Sequence, residues 1–123
     1  MATVTARFVD KPWGHEEIFA RTERYVGKIL SITAGESLSL QYHRLKEETL
    51  RVLDGEVELI AGDRADRLVS HRLAAGAVFH VPPGTLHRLT AVTSCRLVEV
   101  STPELDDVVR LDDRYGRAGT SDP

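Results

Sequence analysis

Two potential ligand side chains lie on one polar face of a predicted strand. Polar and apolar residues alternate between positions 37 and 43, and successive side chains of a β-strand point to opposite faces. One face therefore carries Ser37, Ser39, Gln41 and His43, while the other carries leucine and tyrosine. This strand alone leaves two interpretations open. The polar face contacts water while the leucines fill the core, or the amide oxygen and the imidazole at its end bind a ligand.

A carboxylate and a second histidine lie in phase with apolar residues. Glu48 shares its strand face with Leu50, and His87 shares its face with Leu89. A carboxylate on an apolar face costs free energy unless it is paired or bound to a metal. A single histidine there is usually a core residue with satisfied hydrogen bonds. A glutamine, a glutamate and two histidines, each at a strand end beside a turn, favour a functional cluster instead.

The elements that must position these side chains are short β-strands. Apolar and β-branched residues occur in short runs separated by turn residues about every ten positions, which is typical of a β-sandwich or barrel. Asp54-Gly55 between two such runs predicts a hairpin turn. A short helical or extended segment is predicted over 103–111. We predict strands over 16–20, 25–33, 37–42, 49–53, 57–61, 68–73, 77–81, 87–91 and 96–101.

Length, charge and cysteine usage exclude several classes of protein. The 123 residues are enough for a single domain. Sixteen Lys and Arg against nineteen Asp and Glu give a net charge of −3, without the excess of positive charge expected of a nucleic-acid binder. Cys95 is the only cysteine, so neither an intramolecular disulfide nor a thiolate cluster can form. With no signal peptide or membrane-spanning segment in this sequence, we expect a cytoplasmic protein.

Two spaced motifs cover most of the chain. The first, G-x5-[H]-x-H-x4-E-x6-G, is fitted by Gly35, Gln41, His43, Glu48 and Gly55, with glutamine in place of the first histidine. The second, G-x5-P-x-G-x2-H, is fitted by Gly76, Pro82, Gly84 and His87. In this order they resemble the paired motifs of the cupin superfamily. Ala91 stands where an asparagine often closes the second motif.

Three further segments resemble a narrower group of cupins. They are Lys11-Pro12-Trp13-Gly14, Leu38-Ser39-Leu40-Gln41-Tyr42-His43 and Asp112-Asp113-Arg114-Tyr115-Gly116-Arg117. Similar segments occur in cupins related to mannose-6-phosphate isomerase, including the C-terminal domain of bifunctional isomerase–guanylyltransferase enzymes. Arg44-Leu45-Lys46 departs from the further His and Arg that usually follow the first histidine there.

The resemblance implies a fold and a metal site. The fold is all-β, a single cupin jelly-roll barrel over 25–101, with an N-terminal arm over 1–10, a short helical or extended C-terminal segment and a disordered tail over 117–123. The implied ligands of one divalent transition metal are Gln41, His43, Glu48 and His87. Two imidazoles, a carboxylate and an amide oxygen suit zinc, nickel, iron, cobalt or manganese without choosing among them.

The resemblance also implies aldose–ketose isomerisation of a phosphorylated hexose. A base must move a proton between C1 and C2. Among Glu47, His80 and Glu99 we favour Glu99, because it shares a phase with Leu97 and therefore faces inward. For binding the phosphate, the cations we favour are Arg114 and Arg117, followed by Lys28.

Two alternative functions remain. One is a non-catalytic module that binds a sugar or another small molecule, and the other is a different metallo-cupin, such as a dioxygenase or an epimerase. In each case the expected partner is a small molecule, most simply a sugar or sugar phosphate. We expect no binding to nucleic acid or to a membrane. Small cupins commonly pair their barrels and bury edge strands, so a homodimer is also expected.

Overall fold

The computed structural model describes residues 1–120, which form β-strands joined by turns. The described part contains no helix, and so none that could cross a membrane. The strands are β1 Arg7–Lys11, β2 Gly14–Arg21, β3 Val26–Ile32, β4 Leu40–Tyr42, β5 Glu48–Asp54, β6 Glu56–Gly62, β7 Val69–Ala74, β8 Val78–Val81, β9 Leu86–Ala91, β10 Cys95–Ser101, β11 Val109–Asp112 and β12 Gly119–Thr120.

The strands form two antiparallel six-stranded sheets. The first has the order β1-β2-β3-β10-β5-β8, and the second has the order β12-β11-β4-β9-β6-β7. Most neighbours within a sheet are distant in sequence, as expected of a jelly roll rather than a series of hairpins. The predicted all-β jelly-roll barrel is confirmed.

The interior of the barrel has an apolar end and a polar end. On β3 the inward-facing side chain changes from Leu30 to Lys28, and on β10 it changes from Leu97 to Glu99. The two changes coincide, because Leu97 pairs with Leu30 and Glu99 pairs with Lys28 in the sheet. Hydrophobic burial at the apolar end holds the sheets together. The charged side chains at the polar end are available to bind a ligand.

The C-terminal segment is extended and not helical. Within 103–108 the backbone hydrogen bonds are short-range turn contacts, such as Leu105 N to Pro103 O at 2.8 Å and Val108 N to Asp106 O at 3.0 Å. Leu105 and Val108 are buried, and the chain then continues as β11 along the edge of β4. The helical alternative is therefore wrong, because burying these two residues and pairing with β4 replaces helical hydrogen bonding.

The two ends of the chain add strands to the sheets. The arm expected over 1–10 includes β1, which pairs with β2. The tail expected over 117–123 includes β12, which pairs with β11. Residues 121–123 of that tail lie outside the described residues. The strand predicted over 37–42 is regular only in β4, and Ser37 makes an isolated bridge to Thr90.

Candidate metal centre

Three side chains converge at the polar end of the barrel. Glu48 Oε1 lies 3.4 Å from His43 Nε2 and 3.2 Å from His87 Nε2. The donor atoms of the three residues lie within 4.8 Å of one another, and all three residues are buried. The imidazole ring centroids are 5.1 Å apart. Three different strand ends supply them, so the cluster exists only in the folded barrel.

The hydrogen bonds of the imidazoles point their free nitrogens at the same place. His43 Nδ1 lies 2.6 Å from the Asp107 carbonyl oxygen, and His87 Nδ1 lies 2.9 Å from the Thr85 carbonyl oxygen. A carbonyl can only accept, so each Nδ1 must carry the proton. Each Nε2 is buried, and neither has a hydrogen-bond partner among the described residues. In neutral imidazoles, two nitrogen lone pairs and a carboxylate oxygen therefore face one another, an arrangement that a divalent cation would stabilise.

The environment of Glu48 favours its ionised form. Burial by itself would raise the pKa of Glu48, but hydrogen bonds from His43 and His87 in their protonated forms and the charge of the Lys46 ammonium group hold that pKa well below its ordinary value. An ionised carboxylate beside two imidazole nitrogens is a suitable ligand set for a divalent transition metal.

Gln41 lies beside this triad. Its backbone pairs with His87 between β4 and β9, and it lines the same interior space. Its Oε1 accepts a hydrogen bond from Ser39 Oγ at 2.7 Å. This contact fixes the orientation of the amide and leaves a second lone pair on the oxygen. A role for Gln41 as a fourth ligand remains a prediction.

A buried lysine connects Glu48 with Glu99. Lys46 Nζ lies 3.2 Å from Glu48 Oε2 and 3.0 Å from Glu99 Oε2. Burial opposes the charged form of Lys46, but the two carboxylates raise its pKa above the ordinary value. For Glu99, burial and the charge of Glu48 raise the pKa despite the opposing effect of Lys46. Glu99 thus combines an inward position with an enhanced affinity for a proton.

A cationic cleft opens next to the metal ligands. It encloses about 480 Å³ of empty space, part of which is open to solvent. Two carboxylates, Glu16 and Glu99, also line it, and Lys28 Nζ is 3.4 Å from both oxygens of Glu16. The cationic side chains that line the cleft are Lys11, Lys28, Lys46, Arg110 and Arg117. Their excess over the carboxylates suits an anionic ligand.

The loop between His43 and Glu48 is held by one carboxylate. Asp107 accepts backbone N–H bonds from Arg44, Leu45 and Lys46 at 3.0, 2.6 and 2.9 Å. Burial would raise the pKa of Asp107, but these N–H groups and His43 lower it. Asp107 therefore fixes both the loop that carries Lys46 and, through its carbonyl oxygen, the His43 ring.

The remaining predicted site residues lie in two different places. Arg117 lines the cleft and forms an ion pair with Asp113, with an Arg117 nitrogen 3.0 Å from Oδ1. Arg114 is exposed, and its guanidinium donates to the Gly35 carbonyl oxygen at 2.7 Å, away from the residues that line the cleft. Of the three cations named for the phosphate, the structure thus brings Arg117 and Lys28 to the cleft and places Arg114 elsewhere.

The other two candidates for the base pair with each other. His80 Nε2 lies 2.6 Å from Glu47 Oε2, and both side chains are about half exposed. Neither lines the interior space that Glu99 shares with the metal ligands.

Sequence reasoning did not single out several residues of the site. Lys46 precedes Glu48 by two positions, so strand alternation could have placed both on one face. Glu16 stands in phase with Ile18 and could have been found in the same way. Lys11 and Arg110 lie in β1 and β11, which the sequence pattern did not predict.

Comparison with known sequences gives one family and several relatives. The family described as mannose-6-phosphate isomerase C-terminal matches residues 2–113. Mannose-1-phosphate guanylyltransferase ManC of Salmonella typhimurium is 34% identical over 124 residues, which cover 90% of this chain and 23% of that protein. Xanthan biosynthesis protein XanB of Xanthomonas campestris is 31% identical, with 90% and 24% covered. The chain spans about a quarter of the length of these curated relatives.

Comparison with solved structures identifies proteins that share the barrel fold of this chain. The capsular polysaccharide assembling protein CapF of Staphylococcus aureus superposes with a TM-score of 0.73 at 16% identity, covering 89% of this chain and 35% of CapF. An RmlC-like cupin from Shewanella frigidimarina gives a TM-score of 0.68 at 19% identity, covering 80% and 84%. At these identities the likeness establishes the fold alone, and that fold is the cupin barrel.

Proposed function

Because this chain belongs to the mannose-6-phosphate isomerase C-terminal family, we propose that it is a metal-dependent isomerase of a phosphorylated hexose. The single observation that carries the metal part of the proposal is the convergence of His43 Nε2, His87 Nε2 and Glu48 Oε1, with both imidazole nitrogens buried and without a hydrogen-bond partner among the described residues. These three side chains would hold one zinc, nickel, iron, cobalt or manganese ion, with Gln41 as the fourth ligand.

The chemistry divides between the bound ion and the protein. A divalent ion at this site would supply Lewis acidity toward the sugar oxygens at C1 and C2. In the protein, Glu99 takes the proton from C2, exchanges it with solvent and delivers a proton to C1, while the O2 hydroxyl proton passes to O1, which converts an aldose into a ketose through a cis-enediol. A carboxyl group whose pKa is raised is suited to such proton transfer near neutral pH.

In this proposal the cationic cleft binds the phosphate group of the substrate. Arg117 and Lys28 lie among its cationic residues, and Arg110 and Lys11 add to them. Arg can bind two phosphate oxygens at once, whereas Lys acts as a point charge. Binding energy gained at the phosphate positions the sugar at the metal end of the interior. The proposal places the protein in the cytoplasm, where the single buried thiol of Cys95 stays reduced.

A second candidate is a non-catalytic domain that binds a sugar phosphate. The ion pair between Lys46 and Glu99 favours this candidate, because the residue proposed as the base is already paired with a positive charge. This candidate is also consistent with the relatives, because several are guanylyltransferases and the chain matches only about a quarter of their length.

Metal analysis tests the ligand set. Purified untagged protein reloaded with each candidate ion should retain about one equivalent of a transition metal, measured by plasma mass spectrometry. His43→Ala and His87→Ala should lose that metal, because each removes one of the three converging ligands. His71→Ala changes an exposed histidine of β7 and should retain it. Equal metal content in all four proteins would overturn the assignment.

Isotope exchange separates the two candidate functions. The metal-loaded protein is incubated with mannose 6-phosphate in D₂O, and NMR measures deuterium at C2. Incorporation that is lost in Glu99→Gln supports the isomerase. Binding of the sugar phosphate by calorimetry without any incorporation supports the non-catalytic domain, and absence of both binding and incorporation removes this substrate from both proposals.

A further inference from the structure

Two buried ionisable groups of the cleft transfer no proton in the reaction proposed above. The side chains of Lys11 and Glu16 are 9% and 5% exposed, and Lys11 Nζ lies 3.9 Å from Glu16 Oε1. Both residues line the cationic cleft. Keeping an ammonium group and a carboxylate inside a barrel costs free energy even when the two groups pair. A buried acid–base pair that faces a ligand cleft is therefore a candidate for chemistry.

The surroundings of Lys11 make its ammonium group a better proton donor than that of an ordinary lysine. Burial lowers the pKa of Lys11, and the opposing effect of Glu16 does not restore it. Three neighbouring cations lower this pKa further, namely Lys28, Arg110 and Arg117. Lys11 thus lies beside the two arginines of the cleft, at the end that is proposed to bind a phosphate. A lysine with a lowered pKa is suited to acid–base catalysis near neutral pH.

Glu16 lies between this end of the cleft and the metal end. On its other side, Lys28 Nζ lies 3.4 Å from both Glu16 oxygens. Lys28 pairs with Glu99 between β3 and β10, and Glu99 Oε2 lies 3.0 Å from Lys46 Nζ, beside the metal ligands. From the arginines to the metal end, the ionisable groups therefore follow one another in the order Lys11, Glu16, Lys28, Glu99 and Lys46.

The atoms of a hexose 6-phosphate follow the same order. The phosphate is attached through C6 to C5, which carries the ring oxygen O5. O5 and the hydroxyl oxygen O1 are both bonded to the anomeric carbon C1, and C2 comes next. With the phosphate at the arginines and C2 at Glu99, the anomeric carbon and its two oxygens lie beside Lys11 and Glu16.

We propose that Lys11 and Glu16 open the sugar ring, so that the cleft also interconverts the two anomers of a hexose 6-phosphate. The inference rests on the proposed binding of a sugar phosphate in this cleft, but it needs no metal ion. Isomerisation requires the open-chain aldehyde, whereas a hexose in water is almost entirely in the ring form. Ring opening therefore supplies the form of the sugar on which Glu99 acts.

The step moves one proton from O1 and one proton to O5. The Glu16 carboxylate takes the proton of the O1 hydroxyl, while the Lys11 ammonium group gives a proton to O5. The C1–O5 bond breaks as the C1–O1 double bond forms, which leaves an aldehyde at C1 and a hydroxyl at C5. The proton on Glu16 then passes to the neutral Lys11 amine, and both groups regain their starting charges. Rotation about the C1–C2 bond before the ring closes gives the other anomer.

Anomer exchange in metal-depleted protein tests the proposal. NMR exchange spectroscopy measures how fast the α and β forms of mannose 6-phosphate interconvert, and isomerisation does not compete when the metal is removed. The unmodified protein should raise this rate at least about tenfold above the rate in buffer. Glu16→Gln and Lys11→Met should each lose most of the acceleration, because general acid–base catalysis contributes about 10²–10⁴-fold. Glu17→Gln, on the opposite face of β2, is the control and should exchange anomers at the native rate.

Binding is measured separately, so that a fold defect cannot imitate a chemical one. Methyl α-mannoside 6-phosphate has the phosphate but no free O1 hydroxyl, so it binds without ring opening. In calorimetry, Glu16→Gln should bind it at least as tightly as the unmodified protein, because the change removes a negative charge from the cleft. Glu16→Asp keeps the charge but withdraws the carboxylate by one methylene. This second variant should bind the methyl glycoside normally and exchange anomers slowly.

The outcomes separate this inference from the proposed isomerase. Acceleration by the unmodified protein that is lost in Glu16→Gln, with binding intact, supports ring opening. Binding without acceleration would overturn ring opening and leave the isomerase standing, as would acceleration that survives both Glu16→Gln and Lys11→Met. Acceleration without deuterium at C2 in the metal-loaded protein would count against the isomerase alone. A methyl glycoside phosphate that does not bind, with or without metal, would overturn both.

Discussion

Substitution of Lys46 by methionine should strongly destabilise the folded protein. The Lys46 side chain is only 4% exposed, and its ammonium group lies 3.2 and 3.0 Å from two buried carboxylates. With an effective dielectric constant of about 20, each contact corresponds to about 5 kcal/mol of Coulomb energy, much of which is offset by desolvation. Removing one partner of a buried ion pair costs about 3–5 kcal/mol, because the remaining charge stays buried without compensation.

Urea unfolding of the metal-free protein measures this cost. A domain of this size is stable by about 5–15 kcal/mol, so the Lys46→Met midpoint should fall by about 2 M. The double variant Lys46→Met/Glu99→Gln should recover about 1–3 kcal/mol, because it removes the second uncompensated carboxylate. Arg64→Met breaks an exposed ion pair with Asp66 and should change stability by less than about 0.5 kcal/mol.

The destabilisation of Lys46→Met should also depend on pH. Burial and Glu48 already raise the pKa of Glu99, and loss of Lys46 raises it further. The folded state then binds more protons than the unfolded state above the ordinary glutamate value of 4.5, so stability falls as the pH rises through this window. A cost below about 1 kcal/mol at pH 7, without coupling to Glu99→Gln, would refute the reasoning.

Three further predictions concern other parts of the fold. Burial would raise the pKa of Asp113, but Arg117 and nearby backbone N–H groups lower it. Asp113→Asn should therefore reduce stability most at neutral pH, and the difference from the native protein should shrink as the pH falls below 3.8. A difference in urea unfolding that does not depend on pH would contradict this. Burial, with a smaller contribution from Asp54, raises the pKa of the Cys95 thiol to about 11, so a thiol reagent at neutral pH should label the folded protein far more slowly than the urea-unfolded protein, and equal rates would show that the thiol is accessible. Gly55 (φ 76°) and Gly35 (φ 82°) both have left-handed backbone conformations, but a Cβ atom at Gly55 would overlap the Ser94 carbonyl oxygen and lie 2.6 Å from Cys95 Cβ, whereas Gly35 has open space. Thermal or urea unfolding should give a loss of about 3 kcal/mol for Gly55→Ala and about 1 kcal/mol for Gly35→Ala, and equal losses would mean that the turn shifts to accept the methyl group.

Much of the fold could be predicted from local patterns. Eight of the nine strands predicted from the sequence agree closely with strands of the structure. These strands have strong alternation and clear turn residues, such as Asp54-Gly55 between β5 and β6. The missed strands lie at the outer part of the sheets, where β1 and β12 are edge strands and β11 is next to β12. Most residues of β1 and half of those of β11 are exposed, so these short strands lack the apolar alternation of a covered strand.

The orientation of the polar strand face could not be read from its alternation. Ser37, Ser39 and His43 are 1–2% exposed, so the interpretation that this face contacts water is wrong. Ser37 Oγ is buried because it bonds to the carbonyl oxygen of Leu89 and to Thr90, on a strand about fifty residues later in the chain. Burial of polar groups is tolerated where such partners exist, and tertiary structure alone provides them.

The sequence by itself determined which residues have ligand chemistry and, through the two-residue period of a strand, which of them share a face. The prediction of His43, Glu48 and His87 as metal ligands follows from motifs whose spacing resembles that of the cupin motifs. Only the tertiary structure decided that their donor atoms meet within 4.8 Å, that Lys46 links Glu48 to Glu99, and that Arg117 reaches the cleft while Arg114 does not. The physical reason is that alternation is a property of one strand, whereas distance and charge pairing depend on how strands distant in sequence align in the sheets.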